Sequence, residues 1–190
     1  IQSGIMSFIF ALILLMVYMI SVYGVVPGLI ANGGLICNMF FTLGVLASFQ
    51  AVLTLSGIAG LVLSLGMAVD ANVLIFERSK EELRLGKNLK SAITDGYKNA
   101  FSAIFDSNLT SVITGIILFF FGTGPIKGFA TTLIIGIIMS FFTAVFLTRL
   151  VFEKGLEKGW FKNLTFTTSL TKNLLAHPNI NFLGKRKIGY

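Results

Sequence analysis

No charged side chain occurs between residues 1 and 69, and Asp, Glu, Lys and Arg together make up only 12% of the 190 residues. A soluble globular domain carries about 25%, so that class is excluded. One cysteine, Cys37, rules out an intramolecular disulfide and reads as a small hydrophobe in an apolar segment. The only histidine, His177, stands before Pro178 in the polar tail, so a Ser/His/Asp set is not available and His177 reads as an ordinary loop residue. The phosphate-cradling pattern GxxxxGK[ST] is absent. With no cluster of His, Cys and acids either, the sequence implies no metal and no cofactor. Basic residues are not interleaved with aromatics, and nucleic acid is a poor partner for this chain.

What is present points to lipid. Hydrophobic residues reach 55%, mean hydropathy is +0.87, and 19 Phe and 20 Gly accompany them. Such a composition suits helices that approach closely through small residues, because lipid supplies no hydrophobic drive between them. Predominantly apolar stretches near 20 residues, the length that crosses roughly 30 Å of hydrocarbon, lie at about 4–23, 30–49, 56–76, 107–122 and 129–152. The expected fold is therefore an all-α membrane protein, a polytopic bundle of five transmembrane helices. The first stretch lacks a basic leader and a cleavage-type ending, and reads as a spanning helix. Residues 25–28, 50–54 and the Gly- and Pro-rich 122–128 read as connections.

Charge distribution orients the bundle. Six basic residues fall within 78–98 and eight from Arg149 onward, leaving Lys127 alone between the last two spans. Under the positive-inside rule, the regions after spans three and five are cytoplasmic and the chain enters from outside. The long polar interlude places Leu89, Ile93, Tyr97, Phe101 and Ile104 at helical spacing, so 79–104 reads as an amphipathic helix along the cytoplasmic interface. Such a helix serves as a connector or as a docking face. The tail from 154 reads as a cytoplasmic linker, with a short amphipathic helix around 170–175.

The first charge in the chain is Asp70, within GMAVDANVLIFER (66–78). Seven residues before Glu77, it lies roughly 10 Å inside the boundary, where a carboxylate is costly and by default marks an ion or proton pathway. The competing reading is a carboxyl that only fixes helix packing, although a neutral amide would do so at lower cost. Asn72 and Asn108 are candidate partners. A second acid, Asp106, opens the fourth span as an N-cap residue would; alternatively Asp106, Thr110 and Thr114 form a polar track at four-residue steps. Arg149 reads as a snorkelling anchor rather than a charge partner of Asp70.

Four ordered blocks, GIAGLVLSLGMAVDANVLIFER (57–78), AFSAIFDSNLT (100–110), GTGPIKGFATTLIIGI (122–137) and FTAVFLTRL (142–150), resemble the membrane region of the SecD protein-export family. The family pattern near Asp106 usually reads DANxTT, from which Asp106-Ser107-Asn108 departs conservatively. NINFLGKRK (179–187) is similar to the cytoplasmic entry of SecF, which in some bacteria is fused behind SecD. The resemblance implies a half of the resistance-nodulation-division type, with one further span, a large periplasmic domain and the SecF spans lying elsewhere in a fused SecDF. It further implies a bacterial inner-membrane component that uses the proton-motive force to promote preprotein translocation alongside the SecYEG channel and SecA. Asp70 matches the family's intramembrane acid. Two other readings stand beside this one: a small-molecule or lipid exporter of the same superfamily, and a noncatalytic translocon scaffold.

Overall fold

A computed structural model describes residues 2–48, 54–159 and 166 of the chain. It is built of helices: α1 (Gln2–Tyr23), α2 (Val25–Ser48), α3 (Leu55–Arg84), α4 (Leu89–Phe121), α5 (Pro125–Phe142), a π-helical turn (Thr143–Leu147) and α6 (Thr148–Glu157). With α5, the π turn and α6 continuous as Pro125–Glu157, five helices are long and apolar enough to cross a membrane. The expected five-span helical bundle is what forms.

Sharp reversals separate the spans, each with its local cause. Gly24 alone joins α1 to α2, at φ +92°, a conformation costly for any residue with a Cβ. Pro27, expected to break this pair, instead sits in the first turn of α2, where a missing N–H breaks no helical bond. The Thr54 hydroxyl caps α3 by accepting from the Gly57 N–H at 3.1 Å, and the Asn88 side chain caps α4 by accepting from the Ser91 N–H at 2.8 Å. Pro125 opens α5.

The polar interlude is helical, but residues 79–104 do not form an element of their own. α3 continues without a break to Arg84, and α4 runs from Leu89 straight through to Phe121. The amphipathic pattern reflects packing of α4's first turns onto the end of α3: Ala92, Ile93, Gly96, Tyr97 and Ala100 are all buried. Within that junction the half-turn 85–88 is fastened by charge. Lys87 lies 2.6 Å from the Glu82 carboxylate and donates to Asp95 at 2.7 Å, and Asn99 of α4 donates to Glu82 at 2.8 Å. Hydrogen bonding to Asp95, then to Glu82, pushes the Lys87 ammonium pKa above its ordinary value.

α3 is the centre of the bundle, parallel to α5 and antiparallel to α4. Its contact with α5 is the most extensive in the chain, and small residues make it so. A Cβ on Gly60 would meet the Phe129 carbonyl oxygen at 2.8 Å, one on Gly136 would strike Ser64, and one on Gly128 would lie 2.9 Å from the Thr54 hydroxyl. These pairs share a single register. At the opposite end of the bundle Tyr23, Phe76, Phe152 and Phe166 pack ring against ring, centroids 5.3–6.1 Å apart, joining α1, α3 and α6. α1 is otherwise little covered by the other helices, with Ile9, Phe10, Ile13 and Leu14 exposed. His177, the 170–175 segment and the 179–187 motif lie outside the described residues.

Three substitutions check this packing by unfolding in detergent. Gly60→Ala is expected to lose about 1–3 kcal/mol by overpacking, whereas Gly33→Ala, with open space around its Cβ, loses nothing. Glu82→Ala is expected to cost about 1.5–3 kcal/mol, the scale of hydrogen bonds to a charged group.

Candidate functional site

Asp70 is placed by the helix it rides on. α3 is 30 residues long, roughly 45 Å at 1.5 Å per residue, and Asp70 stands at its middle. Positions 60, 64, 68 and 72 of α3 turn toward α5, which leaves Asp70 about 200° away on the opposite side at 100° per residue. There it is exposed, in a stripe with Ala59, Leu63, Gly66 and Glu77. Beside this stripe the Tyr23 hydroxyl of α1 lies near enough to Glu77 and, less strongly, to Asp70 to feel both charges. No hydrogen bond or ion pair joins Asp70 to another described side chain.

The helix registers set what shares its depth. Gly96 of α4 lies against Ser79 of α3, and nine residues onward in opposite directions bring Asp70 level with Phe105 and within one residue of Asp106. Along α5 the shared register brings Asp70 level with Phe142 and next to Thr143, the first residue of the π turn. Polar groups gather in this layer. Asn72 (4% exposed) and Asn108 (8%) are buried on the inner faces of α3 and α4, and their Oδ1 atoms accept no hydrogen bond. The Asn108 amide donates to the Ile104 carbonyl at 2.6 Å. Thr143 and Thr148 are buried, and the Thr143 carbonyl accepts both the π-type bond from the Thr148 backbone N–H and the Thr148 hydroxyl at 3.1 Å.

The sequence-predicted residues thus share a level without touching. Asn72 and Asn108 point into the bundle while Asp70 points out of it, so neither is its hydrogen-bond partner. Asp106 is not a cap: α4 passes through it without interruption, its N-terminus is capped by Asn88, and Asp106 is exposed on a different face. Thr110 and Thr114, also exposed, each donate to the carbonyl four residues earlier, Thr110 to that of Asp106. Arg149, half exposed, pairs with Glu153 at 2.8 Å.

Two features went unseen. Asn38 of α2, 1% exposed, accepts from Thr42 at 3.2 Å and leaves its amide nitrogen without a partner. An Asn and a Thr four apart in an uncharged span were a readable signal. The π turn had none, because its residues Thr143-Ala144-Val145-Phe146-Leu147 suit an ordinary helix.

Chemically, the layer offers two exposed carboxylates, Asp70 on the central helix α3 and Asp106 on α4, with unsatisfied amides on the inner faces behind them. Among the described residues no three His, Cys, Asp or Glu gather as a metal site. A carboxylate in hydrocarbon faces a cavity, water or a partner, and it can gain and lose a proton.

Residues 1–156 match the family described as "Protein export membrane protein SecD/SecF, C-terminal". The chain is 53% identical over 153 residues to the protein translocase subunit SecD of Rhodothermus marinus, covering 80% of this chain and 24% of that protein. It is 52% identical over 153 residues to the SecD of Desulfurispirillum indicum, covering 80% and 30%. A crystal structure of SecDF, a translocon-associated membrane protein from Thermus thermophilus, superposes with a TM-score of 0.87 at 37% identity, covering 99% of this chain and 25% of that one. The chain spans about a quarter to a third of these relatives.

Replacing Asn72 by Leu removes a buried acceptor that has no donor. Unfolding stability in detergent is expected to stay within about 1 kcal/mol of the parent or to rise; a fall of several kcal/mol would mean that Asn72 is satisfied and structural.

Proposed function

The chain belongs to the SecD/SecF family of protein-export membrane proteins, and we propose that it is the proton-responsive membrane part of a Sec translocase subunit, in which Asp70 takes up and releases the proton. The observation that carries this reading is a single carboxylate at mid-span on an open face of the central helix. Its natural complement is the rest of the protein, whose spans would cover that face and supply what Asp70 pairs with. Loading and unloading Asp70 would change the charge across that contact. One charge moved through 100 mV yields about 2.3 kcal/mol, enough to bias a two-state motion of a domain outside the membrane.

The remaining polar groups take supporting roles. Asn72 and Asn108, with acceptor oxygens to spare, can hold water or a proton carrier behind Asp70. Asp106, level with Asp70 on the neighbouring helix, is a second and weaker station. On this reading the chain lies in the bacterial inner membrane, its start outside and its basic end in the cytoplasm, as the charge bias supports. Its partners are the SecYEG channel, SecA and the translocating preprotein. Relatives named as SecD translocase subunits favour export over efflux of small molecules or lipids. A purely scaffolding role leaves the cost of the mid-span carboxylate unexplained.

Asp70→Asn in the full-length protein, assayed in membrane vesicles, is expected to abolish the proton-gradient stimulation of preprotein export, with Asp70→Glu retaining part of it. Unchanged export and proton flux in Asp70→Asn would overturn the proton-relay reading.

A further inference from the structure

At the basic end of the bundle, α4 and the α5–α6 span part from one another. α4 packs closely along α5 but barely touches α6, and the π turn between them displaces the chain where the gap opens. The result is a cavity of about 320 Å³ walled by Tyr97, Lys98 and Phe101 of α4, Val145 of the π turn and Arg149 of α6. Its polar rim is cationic. Lys98 is exposed, with no carboxylate within 4 Å among the described residues, and Arg149 shares its charge with Glu153 alone. In the wall beside them, the Tyr97 hydroxyl is buried and has no hydrogen-bond partner, with the Arg149 charge close by. A donor without an acceptor next to two cations describes half of a site for an anionic oxygen.

The other half lies deeper. Past a trio of rings, Phe101, Phe105 and Phe141, with centroids 6.0–6.1 Å apart, the same α4–α5 groove continues toward mid-membrane as a second cavity of about 170 Å³. Leu109, Val112, Ile137 and Ile138 line it, with Asn108 as the one polar member. Charge at the interface and apolar surface running inward from it is the polarity profile of an amphiphile. A soluble phosphate would use only the rim, and an acidic peptide would leave the inner groove empty.

We propose that this groove is a binding site for an anionic phospholipid. Its phosphate lies between Lys98 and Arg149 within reach of the Tyr97 hydroxyl, and one acyl chain follows Phe101 and Phe105 into the inner cavity. The lipid adds negative charge to a rim where, among the described residues, Glu153 pairs with Arg149 and Asp95 acts on Lys98 only from beyond ion-pair distance. It also fills the space that the π turn opens between the two spans.

The test uses the full-length protein in mild detergent, incubated with equal amounts of phosphatidylglycerol and phosphatidylcholine of the same chain length and examined by native mass spectrometry. Phosphatidylglycerol is expected to be retained in preference. Lys98→Gln and Arg149→Gln should each lower its retention about fivefold, the scale of one basic charge at a lipid surface. Lys98 is exposed, so Lys98→Gln leaves the fold intact and decides the matter even if Arg149→Gln unfolds. Lys90→Gln, an exposed lysine two turns away, should change nothing. Equal retention of the two lipids, or an equal loss in Lys90→Gln and Lys98→Gln, would overturn the proposal. Displacement of the lipid by inorganic phosphate alone would do the same, because the inner groove would then contribute nothing.

Discussion

The close approach of α3 and α5 is the interaction on which the rest of the bundle depends. Lipid offers helices no hydrophobic reward for meeting, so what holds them is the van der Waals attraction between backbones, which becomes appreciable only where side chains are small enough to let them near one another. Gly60, Ser64, Gly128 and Gly136 supply that condition in one continuous register. Because the two helices run parallel, their packing also fixes their relative height. Asp70 and the π turn therefore come to the same depth, and α4, held to α3 by the Ser79–Gly96 approach and the Glu82 network, brings Asp106 and Asn108 to it as well.

Much of this architecture could be read in advance from the chain itself, for a definite reason. In hydrocarbon a segment that must satisfy its own backbone polar groups does so as a helix, so apolar length marks a span, and the five spans follow. Boundaries were harder. The polar interlude looks like a separate surface helix because its apolar residues face one way, yet the same pattern arises when one helix end packs on another. Pro27 and Asp106 misled in a related way: each is a residue type common at helix ends, and type alone does not say whether a helix ends there.

At the candidate site, identity was legible and direction was not. A lone acid in an apolar run announces itself, and so do Asn72 and Asn108 nearby. Which way each points depends on the phase of α3 against α5, and that phase is set by glycines and serines whose role appears only when both helices are seen together. Asn72 and Asp70 are two residues apart, which on a helix means nearly opposite faces. The SecD relatives and the SecDF structure agree with the family resemblance of the sequence blocks. Much of those proteins also lies beyond this stretch of chain.

The π turn at Thr143–Leu147 has a geometric meaning of its own. A turn of this kind holds one more residue than an α-helical turn, so every side chain after it is rotated by about 100° relative to an uninterrupted helix. Phe152 reaches the aromatic cluster with Phe76, and Arg149 reaches the rim beside Tyr97, because of that single extra residue. The last span is in effect two helical surfaces joined out of phase, one cut to fit α3 in the membrane and the other cut to fit the basic end. A sequence alignment that allowed a one-residue gap here would be matching a change of face rather than a change of length.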